Sequence, residues 1–242
     1  MKINKEIKKE ARATMKNGWF GRLFVVGLAL YAISYGVQGL LGALFAHYGV
    51  NASSIPAVLL QLFLSYIFGG ILAFGIAKAM LKAVDDRREG WFVDSFGGFQ
   101  RPFEVCWLLV YMNLRICLWT LLLIIPGIIA VYRYRQAWYI KSEKPELSAH
   151  QCLKGSGVMM KGHKWQAFWL DCSFIGWFFL ASLVLGFGIG CSVSVSQGSA
   201  AYIGAIGALL MLVFCWLIAY LAVYFMLART IFYRETKEEA GC

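Results

Sequence analysis

Two stretches of this chain, residues 23–77 and residues 172–228, contain no Asp, Glu, Lys or Arg at all. A helix needs about 20 mainly apolar residues to cross ~30 Å of hydrocarbon, so each stretch has room for two crossings and a turn. A bilayer leaves only helices and closed barrels as spanning structures, and uncharged runs this long read as helices. Composition agrees. The chain is 60% hydrophobic and 15% charged with a mean hydropathy of +0.64, whereas soluble domains run near half apolar and a quarter charged. The expectation is an all-α integral membrane protein.

The expected fold is a polytopic helix bundle of about six transmembrane helices with an N-terminal interfacial amphipathic helix. Within residues 1–22, Ile3, Ile7, Ala11 and Met15 recur every fourth position, while Lys2, Lys5, Lys8, Lys9, Arg12 and Lys16 take the other sides. That pattern suits a basic helix on a membrane surface, with Trp19 and Phe20 anchoring where it ends. Spans are expected at 23–47, 55–81, 105–125, 128–140, 165–190 and 202–228, making 23–228 a single transmembrane domain. Segments 82–104 and 141–164 carry most of the remaining charge and read as cytoplasmic connections, and 229–242 as a cytoplasmic tail. Pro126-Gly127 is the expected break between the third and fourth spans, since proline removes a helical donor. Residues 128–140 are short for a full crossing, and a re-entrant hairpin is the alternative. Ser148 with Gln151 has capping-box form and marks a surface helix.

Lysines and arginines number 23 against 13 acids. They fall in 1–22, 78–104, 133–164 and 229–242, with Arg115 besides, and the two expected outer loops have none. By the positive-inside rule both termini are cytoplasmic, and the expected location is a plasma membrane. The basicity therefore requires no nucleic acid; the expected partners are membrane lipids, anionic at the cytoplasmic face, with a protein partner or homo-oligomer left open. Asn51 heads a glycosylation sequon too close to the bilayer to serve as an acceptor.

Few groups carry chemistry. The seven cysteines, Cys106, Cys117, Cys152, Cys172, Cys191, Cys215 and Cys242, form no C-x-x-C pair, so no zinc or redox motif is read and no cofactor is expected. His150 and His163 lack ligand spacing, and no triad or carboxylate pair can be assembled, so no enzyme is expected. What stands out are ionisable groups inside expected spans: Arg115, Arg133, Arg135 and Asp171. An isolated charge there costs ~2.5–3.5 kcal/mol on insertion scales, so these groups should face one another or water. Together with Pro126 and Gly127 they form the candidate intramembrane site. It reads either as a structural ion pair fixing spans three to five or as a polar pathway, with Arg133 and Arg135 the best-matched partners of Asp171 by depth.

The run Leu118-Trp119-Thr120-Leu121-Leu122-Leu123-Ile124-Ile125-Pro126-Gly127-Ile128-Ile129, followed by Ala137-Trp138-Tyr139-Ile140, Pro145-Glu146-Leu147-Ser148, Met160-Lys161-Gly162-His163-Lys164-Trp165 and Leu170-Asp171-Cys172-Ser173, resembles the DUF975 family of bacterial membrane proteins. Ala11-Arg12, Asn17-Gly18-Trp19 and Ala228-Arg229-Thr230-Ile231-Phe232-Tyr233 fit it as well. More remotely the chain is similar to the membrane domain attached to some glycerophosphodiester phosphodiesterases, without their catalytic domain. The resemblance implies a multi-pass membrane protein whose biochemical role is not established. Ala130 departs from the lysine usual there, and Arg133 and Arg135 replace small residues. The expected function is a non-enzymatic membrane factor in an envelope process such as peptide export, lipid handling or stress response. The alternative is a small transporter or lipid translocator built on the broken helix and the buried charges.

Overall fold

The computed structural model describes residues 4–49, 54–196 and 201–241, and every regular element within them is a helix. The helices are α1 (Asn4–Thr14), α2 (Phe20–His47), α3 (Ile55–Val84), α4 (Trp91–Asp94), α5 (Pro102–Leu122), α6 (Ile124–Tyr134), α7 (Ala137–Glu143), α8 (Ala149–Met159), α9 (Lys164–Ser196) and α10 (Ala201–Ala240). Among the described residues five helical stretches are long and apolar enough to cross a membrane: Asn4–His47, Ile55–Val84, Pro102–Leu122, Lys164–Gly186 and Ile206–Ala240. The first three match expected spans and the last two the long uncharged run. The expected fourth span does not form as one helix. Residues 128–140 are divided between α6 and α7, and the 11 residues of α6 rise only about 16 Å. Asn51 and the sequon it heads lie outside the described residues.

The N-terminal helix is amphipathic as expected, but protein covers its apolar stripe. Ile7, Ala11, Met15 and Trp19 are all buried in one cluster with Ala228, Ile231 and Phe232 of α10 and Leu170 and Phe174 of α9. Full burial of a side chain such as Ile7 contributes about 1.5–3 kcal/mol. Lys5, Lys9, Arg12 and Lys16 are left on the exposed side. A single turn, Met15–Trp19, bends α1 into α2 at Gly18, whose φ of +86° suits glycine alone. Trp19 Nε1 donates to Asp86 Oδ1 at 2.7 Å, tying this bend to the end of α3 and holding the Asp86 carboxyl below its ordinary value.

Segment 82–104, expected as a cytoplasmic connection, leaves residues 85–90 exposed and then folds back along α3. Asp94 of α4 pairs with Lys78 at 2.9 Å and with Lys82, and the 3₁₀ turn Gly97–Gln100 buries Gly97 and Gly98 against the same helix. The approach is so close that a Cβ on Gly75 would stand 1.8 Å from the Ser95 carbonyl oxygen, and one on Gly98 2.3 Å from that of Ile71. The helix break is also displaced. Leu123 is the extended residue (φ −163°, ψ 147°) between α5 and α6, and Pro126 stands inside the first turn of α6. A proline is tolerated in a first turn because its missing N–H has no helical acceptor there. Gly127 then lets the two helices close on each other, since a Cβ there would meet Thr120 Oγ1 at 2.3 Å.

One end of the bundle collects the charge. α8 opens on the expected capping box, Gln151 N donating to Ser148 Oγ at 3.3 Å and Ser148 N to Gln151 Oε1 at 2.8 Å. Residues 229–240, expected as a tail, continue α10 without a break. Their Tyr233, Arg234 and Lys237 donate to Glu143 of α7 at 2.7, 2.7 and 2.6 Å. Burial opposes ionisation of Glu143, but the bonds from Lys237 and Tyr233 and the charge of Arg234 outweigh it and hold the carboxyl below its ordinary 4.5.

Candidate functional site

Asp171 stands two turns into α9, where the fold brings two other chain segments to it. Arg135, between α6 and α7, donates through Nη1 to Asp171 Oδ2 at 3.0 Å. Arg229 of α10 reaches both carboxylate oxygens, Nε to Oδ1 at 3.3 Å and Nη2 to Oδ2 at 2.9 Å. The Tyr132 hydroxyl donates to Oδ2 at 3.3 Å. The carboxylate is thus shared by α6, α9 and α10 and ties three segments that sequence separates by up to a hundred residues.

The cluster is not neutral. Two guanidiniums face one carboxylate. The side chain of Arg135 is 9% exposed and that of Asp171 16%. Of Arg135's donors, Nε and Nη2 are buried without a hydrogen-bond partner among the described residues. Leaving a buried donor unmatched costs about 1–3 kcal/mol, more when it is charged. Aromatic faces supply part of the compensation: Arg229 Cζ lies 4.0 Å from the centre of the Phe225 ring, and Arg135 Cζ 5.9 Å from those of Tyr132 and Phe232.

These groups form the polar wall of a cavity of about 420 Å³, within the range of small-molecule sites. Its remaining walls are mostly apolar, among them Ile76 and Met80 of α3, Met112 and Ile116 of α5, and Met226 of α10. Flexible methionines adapt readily to irregular apolar guests. A positive, donor-rich wall facing an apolar chamber can take one class of guest well: an anion attached to a hydrocarbon chain.

The other expected site residues lie elsewhere. Arg115 donates to the Tyr111 hydroxyl at 2.6 Å, and that hydroxyl meets His150 Nδ1 at 3.1 Å. Arg133, expected beside Asp171, runs across α8 instead, where a Cβ on Gly157 would stand 3.0 Å from its Nε. Two residues along a helix turn by about 200°, so only one of Arg133 and Arg135 can face α9. Pro126 lines a smaller pocket with Trp119, Arg133 and Lys164, and Gly127 is a packing position. Sequence reasoning missed Arg229 and Tyr132. Arg229 is the first charge after the uncharged run and so reads as the start of a tail, yet the spacing Phe225, Arg229, Phe232 marks one helical face.

A family model described as "Protein of unknown function (DUF975)" matches residues 108–240, which hold the whole Asp171 cluster and all the expected site residues. No curated protein and no solved structure matches the chain.

Proposed function

The chain belongs to the DUF975 family, and from that premise we propose that it is a non-enzymatic membrane factor of lipid handling, which holds an anionic amphiphile in the chamber behind Asp171. Of the envelope processes open to such a factor, lipid handling is the one the geometry supports. The observation that carries it is the surplus guanidinium at the chamber wall: Arg135 and Arg229 against Asp171 alone, with two Arg135 donors unmatched. A carboxylate or phosphate head would neutralise that surplus, and the apolar walls suit its hydrocarbon. The charge distribution supports both termini on the cytoplasmic side, and the family resemblance supports a bacterial plasma membrane, whose anionic heads would gather against the basic face of α1.

The second reading is a translocator, favoured by the placement of the charged cluster next to a broken helix pair, α5 and α6. Liposomes of phosphatidylglycerol and phosphatidylethanolamine separate the two. With a fluorescent lipid in both leaflets and an impermeant reductant outside, the holding factor leaves the inner-leaflet signal as it is in protein-free vesicles. Bleaching of the inner leaflet that Arg229→Gln abolishes would replace this reading with translocation.

A further inference from the structure

The partners of α5 along its length bear on whether it crosses the bilayer. In its first turn Glu104 accepts from Lys141 Nζ at 2.7 Å, and Lys141 also donates to the carbonyls of Pro145 and Leu147. Two turns on, Tyr111 meets His150 at 3.1 Å. Near its end, Trp119 shares with Pro126 and Arg133 a pocket of about 200 Å³ whose far wall is Lys164. Trp119 lies about 22 Å along the helix from Glu104. Over that whole length α5 keeps to one charged segment, residues 141–164.

Its course along α3 agrees. Val105 packs with Ile71 and Phe74, and Leu109 with Gly70. Further along, Met112 and Ile116 share a chamber with Ile76, Ala77 and Met80. From residue 105 to residue 116, α5 therefore stays beside residues 70–81 of α3, the half that carries Lys78. A crossing helix that begins at the charged end would run on toward Ile55.

We infer that α5 and α6 do not cross the membrane but form a hairpin seated in one leaflet, the cytoplasmic one, so that only α2, α3, α9 and α10 span. The surface that meets the acyl chains is explicit. Phe103, Trp107, Val110, Leu114, Leu118 and Leu121 recur at intervals of three and four, and each is at least 45% exposed. The turn continues the stripe, since the five apolar residues from Leu121 to Ile125 are 67–84% exposed. A stripe of this width on a helix rimmed by basic groups is what lies in a membrane interface. Exposed Arg101 and Lys154 supply that rim, and the exposed Trp107, Trp119, Trp165 and Trp169 belong at headgroup level. Four spans also answer to the two uncharged runs, two crossings each, and return both termini to one side.

The test places a single cysteine at Leu122→Cys, at the hairpin tip, in a full-length chain stripped of its native cysteines, with Leu118→Cys as a second probe on the same stripe. Ile55→Cys, at the uncharged end of α3, shows that an impermeant maleimide reaches the outer face. In intact cells Ile55→Cys should label and Leu122→Cys should not. In vesicles of phosphatidylglycerol and phosphatidylethanolamine, a fluorophore at either hairpin cysteine should be quenched by a shallow lipid-borne nitroxide several-fold more than by aqueous iodide. Labelling of Leu122→Cys from outside would mean a crossing hairpin. Quenching by iodide without lipid quenching would mean that the stripe covers another protein surface. Either result overturns the inference.

Discussion

Asp171→Asn should cost the bundle about 3 kcal/mol, because the change leaves the guanidiniums of Arg135 and Arg229 facing each other across a mostly buried site. Replacing an arginine as well should restore part of the loss, since removing both members of a buried pair is close to neutral while removing one is not. Double-mutant cycles in detergent should therefore show coupling for Asp171 with Arg135 and with Arg229, and additivity with Arg115 and Arg133, whose side chains lie elsewhere. A further outcome separates this site from an ordinary structural pair. The loss in Asp171→Asn should shrink when an anionic lipid is added, because the guest's head takes the place of the missing carboxylate, and a zwitterionic lipid should do nothing.

Gly75→Ala should lose about 3 kcal/mol or more, although the change adds one methyl group in a helix. Its Cβ would stand 1.8 Å from the backbone oxygen of Ser95, and a backbone cannot move aside as a side-chain end can. The segment around α4 would have to leave α3, breaking the pairs of Asp94 with Lys78 and Lys82. Gly69→Ala, six residues earlier on the same helix with nothing within 4 Å, is the control. It should be neutral or gain up to about 1 kcal/mol from helix propensity. Thermal unfolding in detergent reads both, and equal effects would mean that the close approach of segment 91–98 to α3 is absent in the protein.

The sequence makes spans legible where hydrocarbon imposes a plain rule. A run such as 23–77 without a charge can be little else than helices in lipid, and α2 and α3 follow. At α5 the rule gives only half of the information. Its 21 residues are as apolar as a span, and the inferred one-leaflet hairpin rests on partners that meet it in three dimensions, Lys141 and His150 among them. Composition cannot carry that. The fold-back of 85–101 was hidden for the same reason: Gly75 and Gly98 look like any helix and turn glycines until each is seen against the other's segment. The candidate site was half visible. A lone acid in an apolar helix demands a cation, which the depths assigned rightly to Arg135 and wrongly to Arg133. Arg229 is hidden because it closes an uncharged run, where a span reads as ending, whereas α10 continues to Ala240 and turns Arg229 inward.

The chamber's selectivity is what the account stands on, and native mass spectrometry of the purified full-length protein reads it directly. Protein extracted in a mild detergent and exposed to equal amounts of phosphatidylglycerol, a free fatty acid and phosphatidylethanolamine should retain the anionic species at least tenfold over the zwitterionic one. In the Arg135→Gln/Arg229→Gln double variant, checked to unfold at a similar temperature, that preference should vanish. Equal retention of the three lipids by the wild-type protein, or an anionic preference undiminished in the double variant, would contradict it.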